Sequence, residues 1–562
     1  MKTDTEKYLN RPIGENEDEL LDEIWNSLRA KECGEHILDR NYQDVKSRIR
    51  RRRNTRRMYW ISSGVAAACV IVSLFLVFRP TALQEVTVYT QLGHMGISVC
   101  NEQVQLLVGD SAVSNLGGDA KINIDKHSNV ALQSADGKKI MLQINNIEEL
   151  DYDKISVAEE WNESKESELI MHTIHSYPAK FPAFIASKAF DYAKQEGVKI
   201  ERTSDIFCGC GTVALEAKRR GYEFWGCDIN PVATLIARTK STIYDPETIK
   251  EYYCKILKNV GKKTFSREIY ENANARLKYW YYETSYCDLY KLKQAIKEET
   301  PEGKYREAFE CIFSSILKAC SKWLTKSIKP QVDPEKKEID VMQQFDKQVD
   351  KFIKAIMEMG VYKAKTTINC ANFLEEKNLP KTDLIITSPP YVTSYEYADL
   401  HQLSSLWLGY TEDYRDLRKG SIGSIYNSDD FIVDVQKLNK TGKSVVMNLE
   451  NVGMPKSKVK SVARYYSDMQ DAIEKCYGML SDTGMIFFVV GDTEYKGIKI
   501  LNSKHLVETL FDKGFKDIKI GKRTISKRIC IPYRDEQGKF TKDKSKRKVY
   551  HEEFIISGRL KK

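Results

Sequence analysis

Asp205-Ile206-Phe207-Cys208-Gly209-Cys210-Gly211-Thr212 is the stretch whose reading decides the fold. It follows Val198-Lys199-Ile200, read as a strand, and leads into residues 213–220, which have helical composition. Between a strand and a helix, two glycines one residue apart let the backbone approach a ligand closely, and the first helical turn offers unpaired N–H groups. The turn therefore predicts a pocket for a nucleoside-bearing cofactor, with Asp205, Phe207, Gly209, Gly211 and Thr212 as its candidate lining. Cys208 and Cys210 read as small packing residues.

Working outward, Phe224-Trp225-Gly226-Cys227-Asp228-Ile229-Asn230-Pro231 reads as a second strand ending in an acidic residue. An aspartate there can accept hydrogen bonds from both ribose hydroxyls of a nucleoside. The pyrophosphate pattern GxGxxG is absent, because Gly211 is followed by Thr212, Val213 and Ala214. That favours S-adenosylmethionine over NAD.

Asp383-Leu384-Ile385-Ile386-Thr387-Ser388-Pro389-Pro390-Tyr391 is the most specific motif: a buried type of strand delivering a rigid turn. Its two prolines fix φ and remove N–H donors, which leaves carbonyls free to face a substrate amine. The exocyclic amine of cytosine or adenine is a poor nucleophile, since its lone pair is delocalised into the ring. Accepting its N–H groups at the Ser388 side chain and the Pro389 carbonyl pulls it towards a tetrahedral geometry that can attack a sulfonium methyl in line. Tyr391 would stack on a base rotated out of the duplex, as chemistry on a paired base requires. The candidate catalytic residues are thus Ser388, Pro389, Pro390 and Tyr391.

Together these stretches resemble the amino-methylating DNA methyltransferases, which make N4-methylcytosine or N6-methyladenine. His175-Ser176-Tyr177-Pro178-Ala179-Lys180-Phe181-Pro182 is similar to the motif that the family places before the glycine turn, and the resemblance implies Lys180 and Phe181 near the methionine end of the cofactor. Residues 484–492 look like the strand behind the active site, and residues 552–556 like the closing strand. The likeness runs from about Glu168 to Ser557. It implies a Rossmann-like α/β fold of the S-adenosylmethionine-dependent kind, double-stranded DNA as partner, and room for a restriction endonuclease as a second partner. Two departures stand out. Ile206 replaces a common proline, and Asn372 stands where an acidic residue usually contacts the adenine ring. Ser388, rather than aspartate or asparagine, favours cytosine N4 over adenine N6.

Aromatic and lysine-rich helices fill residues 244–362, between the cofactor motifs and the catalytic turn. They read as a helical insertion and, by the family's motif order, as the target recognition domain. The cofactor-binding half is then 150–243 and the catalytic half 363–562.

The chain has 562 residues, a net charge of +9, 42% hydrophobic and 30% charged residues, and 13 scattered cysteines without a CxxC pair. This is globular, multi-module composition that permits a polyanionic partner and gives no metal cluster or disulfide scaffold. The N-terminus reads differently. Leu20, Leu21, Ile24, Trp25 and Leu28 line one helical face within a segment 1–57. An arginine run from Arg48 to Arg57 then precedes residues 58–78, which carry no charge and predict a transmembrane helix with its arginines on the cytoplasmic side. Short alternating runs at 84–143 predict strands. This layout resembles FecR-type anti-sigma regulators, which implies a membrane-inserted, sigma-factor-binding segment. Such an anchor would place the rest of the chain outside the cytoplasm, away from DNA and S-adenosylmethionine. The reading that removes the conflict is a fusion joined near residues 139–149, with Met141 able to start a cytoplasmic enzyme. A membrane-anchored regulator, and an RNA or protein amino methyltransferase, stay open as rival functions.

Overall fold

The computed structural model describes the strands between residues 84 and 143 by their backbone. It also describes residues 151–561, except 163–166, 179, 181, 393–395, 427–430, 496, 526–532, 535–539, 542, 544 and 549–551. The N-terminal helical segment, the arginine run and the apolar stretch 58–78 lie outside the described residues. Among the described residues no helix is long and apolar enough to cross a membrane.

The chain divides into two units, Met1–Gly137 and Lys138–Lys562. In the first, strands Gln84–Thr90, Gly93–Cys100, Gln103–Val108 and Ser111–Gly117 form an antiparallel sheet in chain order, and Lys121–Ile124 pairs with Val130–Gln133 as a hairpin.

The second unit is a mixed α/β layer structure. Its strands are β1 (Arg202–Asp205), β2 (Glu223–Asp228), β3 (Thr366–Cys370), β4 (Thr382–Thr387), β5 (Leu480–Val490), β6 (Lys516–Thr524) and β7 (Glu552–Arg559). They lie in the order β3-β2-β1-β4-β5-β7-β6, and the short strand Leu142–Gln143 pairs with β6. The first five are mutually parallel, whereas β7 runs antiparallel to both β5 and β6.

Parallel strands buried on both faces read as continuous apolar runs, and β5 shows why. Met485, Phe487 and Val489 enter one hydrophobic cluster, while Ile486, Phe488 and Val490 enter the other. The first cluster holds α1 (Ala183–Gln195) and α2 (Thr212–Arg219); the second holds α10 (Lys456–Met479) and α11 (Asn502–Asp512).

One strand is not where the sequence placed it. Val198-Lys199-Ile200 is not strand, and β1 is the polar Arg-Thr-Ser-Asp that follows. It holds the centre of the sheet because its hydroxyls are paired across to β4. Thr203 donates to the Leu384 carbonyl at 2.8 Å and Ser204 to the Thr382 hydroxyl at 3.1 Å. Buried polar groups cost little when so satisfied.

After α3 (Pro231–Ser241) come the helices of the insertion. They include α4 (Pro246–Val260), α5 (Glu283–Glu299), α6 (Lys304–Ile316) and α7 (Val341–Met359), which close around Trp280, Tyr281, Phe309, Phe313, Trp323, Phe345 and Phe352. Two more helices, α8 (Gln402–Leu408) and α9 (Lys440–Asn451), follow the catalytic turn.

Candidate active site

In this strand order, β1 and β4 are the neighbours at which the chain switches direction, and ligands of open α/β sheets bind at the carboxyl ends of such a pair. Here β1 delivers the glycine turn and β4 delivers Ser388-Pro389-Pro390-Tyr391. Asp205 joins them: one carboxylate oxygen accepts from the Thr387 hydroxyl at 2.7 Å and from the Phe207 amide at 3.1 Å. Two motifs 182 residues apart in sequence are therefore fastened in space. Asp205 is a buried bracket, and burial pushes its carboxyl up to about 7 against the pull of those two donors.

The two glycines of the turn do different work. Gly211 caps α2 at φ +76°, and a Cβ there would lie 2.8 Å from both Cα and Cβ of Ala237 on α3. It lets two helices close on each other. Gly209, at φ +47°, carries its amide to Asp228, donating at 2.9 Å, and a Cβ there would stand 3.6 Å from the Tyr177 ring. The other Asp228 oxygen accepts from the Asn230 amide at 2.9 Å, and burial lifts this carboxyl to about 6. Its side chain nevertheless keeps partial exposure at the strand end. Thr212, the first residue of α2, is buried, and Phe207 packs edge-on to Phe373 at 6.4 Å. A half-buried carboxylate oriented by two backbone amides, next to the glycine turn, fits a nucleoside ribose.

Lys180 is held within its own motif. Its ammonium donates to Glu168 at 2.8 Å and to the His172 carbonyl at 3.2 Å, while the other Glu168 oxygen accepts from the Ala183 amide that opens α1. Phe181 lies outside the described residues. From the same motif it is Tyr177 that covers Gly209, stacked on His401 at 5.0 Å between ring centroids and 27° between planes. His401 is buried and takes the Asn230 side-chain amide on its Nδ1 at 2.8 Å, while Asn230 also caps α3. His175 fixes the motif to the insertion. Its Nδ1 donates to the Ser176 carbonyl at 2.9 Å, and its Nε2 accepts from Ser314 on α6 at 2.9 Å. Tyr177 stood in plain view in the sequence motif. His401 and Asn230 carry no spacing signal, because 171 residues separate them.

Asn372 follows β3, next to the end of β2, with Cys370 paired to Asp228. Its carbonyl oxygen accepts from the Leu374 amide at 3.1 Å and its NH2 donates to Glu375 at 2.9 Å, so it caps its own turn. Gly420 closes over the same end of the sheet, where a Cβ would come within 2.6 Å of the Ile229 side chain.

On the β4 side, Ser388 is half-buried, and its hydroxyl has no hydrogen-bond partner among the described residues; Pro389 is buried and Pro390 partly exposed. Tyr391 is tethered. Its hydroxyl donates to Glu553 on β7 at 2.8 Å, and the other Glu553 oxygen accepts from the buried Arg523 on β6 at 2.8 Å. Its ring lies on Gly491, where a Cβ would stand 3.3 Å away. Nothing in the sequence marked Glu553 or Arg523 as parts of the site.

With that geometry in place, one relative decides the class of enzyme. The Type II methyltransferase M.MvaI of Kocuria varians is 25% identical over 382 residues, which are 61% of this chain and 81% of the relative. The chain is a methyltransferase. Its expected cofactor is S-adenosylmethionine. No family model matches the methyltransferase. Among solved structures it is similar to the rRNA methyltransferase aviRa of Streptomyces viridochromogenes, with 9% identity, a TM-score of 0.23, and coverage of 70% of this chain and 91% of that one. A SAM-dependent O-methyltransferase of Thermotoga maritima gives 8%, 0.23, 87% and 96% for the same quantities. Likeness at such scores carries no weight beside the sequence match. These relatives lend no support to the anti-sigma resemblance of the first quarter.

Proposed function

We propose that this methyltransferase acts on the exocyclic amine of a base in double-stranded DNA, with cytosine N4 as the target. The observation that carries the reading is the 2.7 Å bond from Thr387 to Asp205, which sets the Ser-Pro-Pro-Tyr corner beside the glycine turn. S-adenosylmethionine, when bound, supplies an electrophilic methyl on a sulfonium. The chain's residues supply position. Asp228 and the Gly209 backbone hold the nucleoside, and the uncommitted Ser388 hydroxyl and the Pro389 carbonyl accept the amine's N–H groups. Held this way, the amine nitrogen would face the methyl that the cofactor would supply, and the amine proton released on transfer would pass to solvent. Holding both reactants in register accounts for much of the rate.

The relative's designation as a Type II methyltransferase supports a DNA reading. The serine at the first position of the corner supports cytosine, since the adenine enzymes of the resembled family mostly carry a carboxylate or amide there. The direct test is sequencing, by a method that detects modified bases, of DNA from cells expressing the chain. N4-methylcytosine at a fixed sequence context is the expected outcome. N6-methyladenine would overturn the choice of base, and unmodified DNA beside methylated RNA would overturn the choice of nucleic acid.

A further inference from the structure

The helical insertion carries a basic face that the cofactor and catalytic turns do not use. Residues 318–337 hold six lysines against two acidic residues. Two of the six are consumed in building the segment. Lys318 donates to the Ser327 carbonyl at 2.8 Å, and Lys336 to the carbonyls of Trp323 at 2.8 Å and Lys318 at 3.0 Å. Trp323 stacks on Trp280 at 5.0 Å and 22°, pairs by backbone with Val332, and precedes Leu324, whose amide donates to Gln331 at 2.8 Å. The turn between these anchors therefore stands on a buried tryptophan pair.

At its tip Lys326 and Lys329 are exposed, and neither makes an ion pair among the described residues. Ile328 stands between them, 48% exposed. At the base of the turn the Lys322 ammonium lies 5.4 Å from the Tyr282 ring and 6.0 Å from the Tyr279 ring, and both tyrosines are exposed.

We propose that this lysine-tipped turn, with Tyr279 and Tyr282 beside it, docks on the phosphate backbone of duplex DNA; the proposal rests on DNA being the substrate. Unpaired ammonium groups held on a rigid support lose little freedom on meeting phosphates, and they release condensed counterions when they do. An apolar tip between two cations suits a groove edge, where phosphates flank sugars and bases. The surface is also bolted to the site. Trp280 and Arg276 both donate to the Gln402 side-chain oxygen, at 2.9 and 2.6 Å, and Gln402 follows His401, which stacks on Tyr177 over the glycine turn.

The test compares the full-length chain with its Lys326→Ala/Lys329→Ala and Lys326→Arg/Lys329→Arg variants, measuring binding to a random-sequence duplex across a salt series. The alanine pair is expected to bind about tenfold more weakly near ~0.1 M salt, with a log–log salt slope shallower by about 2, and the arginine pair to restore both. Affinity for S-adenosylmethionine, measured by calorimetry, stays unchanged. An alanine variant that still binds the cofactor and keeps the wild-type slope overturns the proposal, and so does a loss confined to single-stranded RNA. If the wild type binds duplex through this turn yet transfers no methyl to it, the proposed activity falls and the surface stands.

Discussion

The two turns that meet at the switch point are built on opposite plans. On the cofactor side almost every polar group is already committed to protein: both Asp228 oxygens accept backbone amides, Asp205 grips Thr387 and Phe207, and Gly211 is pressed against Ala237. On the substrate side the Ser388 hydroxyl is uncommitted, while Tyr391 alone is held, through Glu553 and Arg523. Under the proposed function, a cofactor common to every turnover would meet a preformed cradle, whereas a base that must leave its helix would meet acceptors left open for it. The contrast implies that damage to the two turns shows up in different measurements.

The largest separation is expected from Ser388→Ala combined with Tyr391→Ala. Methyl transfer should vanish from a labelled-methyl assay, with Ser388→Ala alone lowering kcat by about a hundredfold, the scale of removing one positioned polar group from a reacting centre. Binding of S-adenosylmethionine should be unaffected. Weakened cofactor affinity in the single serine variant would mean that the two turns are not divided as described.

Gly211→Ala probes the other plan. A methyl there meets Ala237 backbone at 2.8 Å and forces a non-glycine residue to φ +76°. A loss of about 2–3 kcal/mol in unfolding free energy is expected from overpacking and strain together. Chemical denaturation reads it, and wild-type stability would show that α2 and α3 separate easily.

How much of this was legible follows from what each residue does. Strands β2, β4 and β5 were visible because strands buried on both faces are mostly apolar, as in Leu384-Ile385-Ile386 and Phe487-Phe488-Val489-Val490. β1 was displaced in the reading because its residues are polar and their partners lie on a strand some 180 positions away. A GxG spelling announces a tight turn but not which glycine faces the ligand and which faces a helix. The ion pair of Lys180 with Glu168 and the turn that Asn372 caps with its own amide were likewise not readable from their motifs. The Glu553–Arg523 tether and the His401–Asn230 contact exist only once distant segments fold together, so no local pattern encodes them.

The smallest effect tests whether the cradle's half-buried carboxylate, Asp228, works as a charge. Burial raises the Asp228 carboxyl to about 6, although two backbone amides favour its ionised form. A ribose hydroxyl donates best to the ionised carboxylate, so cofactor binding favours that form and lowers the carboxyl's pKa in the complex. Affinity for S-adenosylmethionine should therefore rise, by several-fold up to about tenfold, as pH increases from ~5 through ~6, and then level off. In Asp228→Asn the carboxyl is gone and the curve should be flat and low over this interval. Stability runs the opposite way. A buried acid whose folded value exceeds its unfolded one contributes most below the unfolded value and loses that contribution as pH climbs through the folded one. The apo protein should thus become less stable over the same interval in which the cofactor binds more tightly, and Asp205, lifted to about 7, should extend that loss to higher pH. Calorimetric titration against pH, paired with thermal melts with and without S-adenosylmethionine, separates the two trends. If affinity and stability move together, the cofactor does not meet Asp228 as an anion, and the cradle grips through its backbone instead.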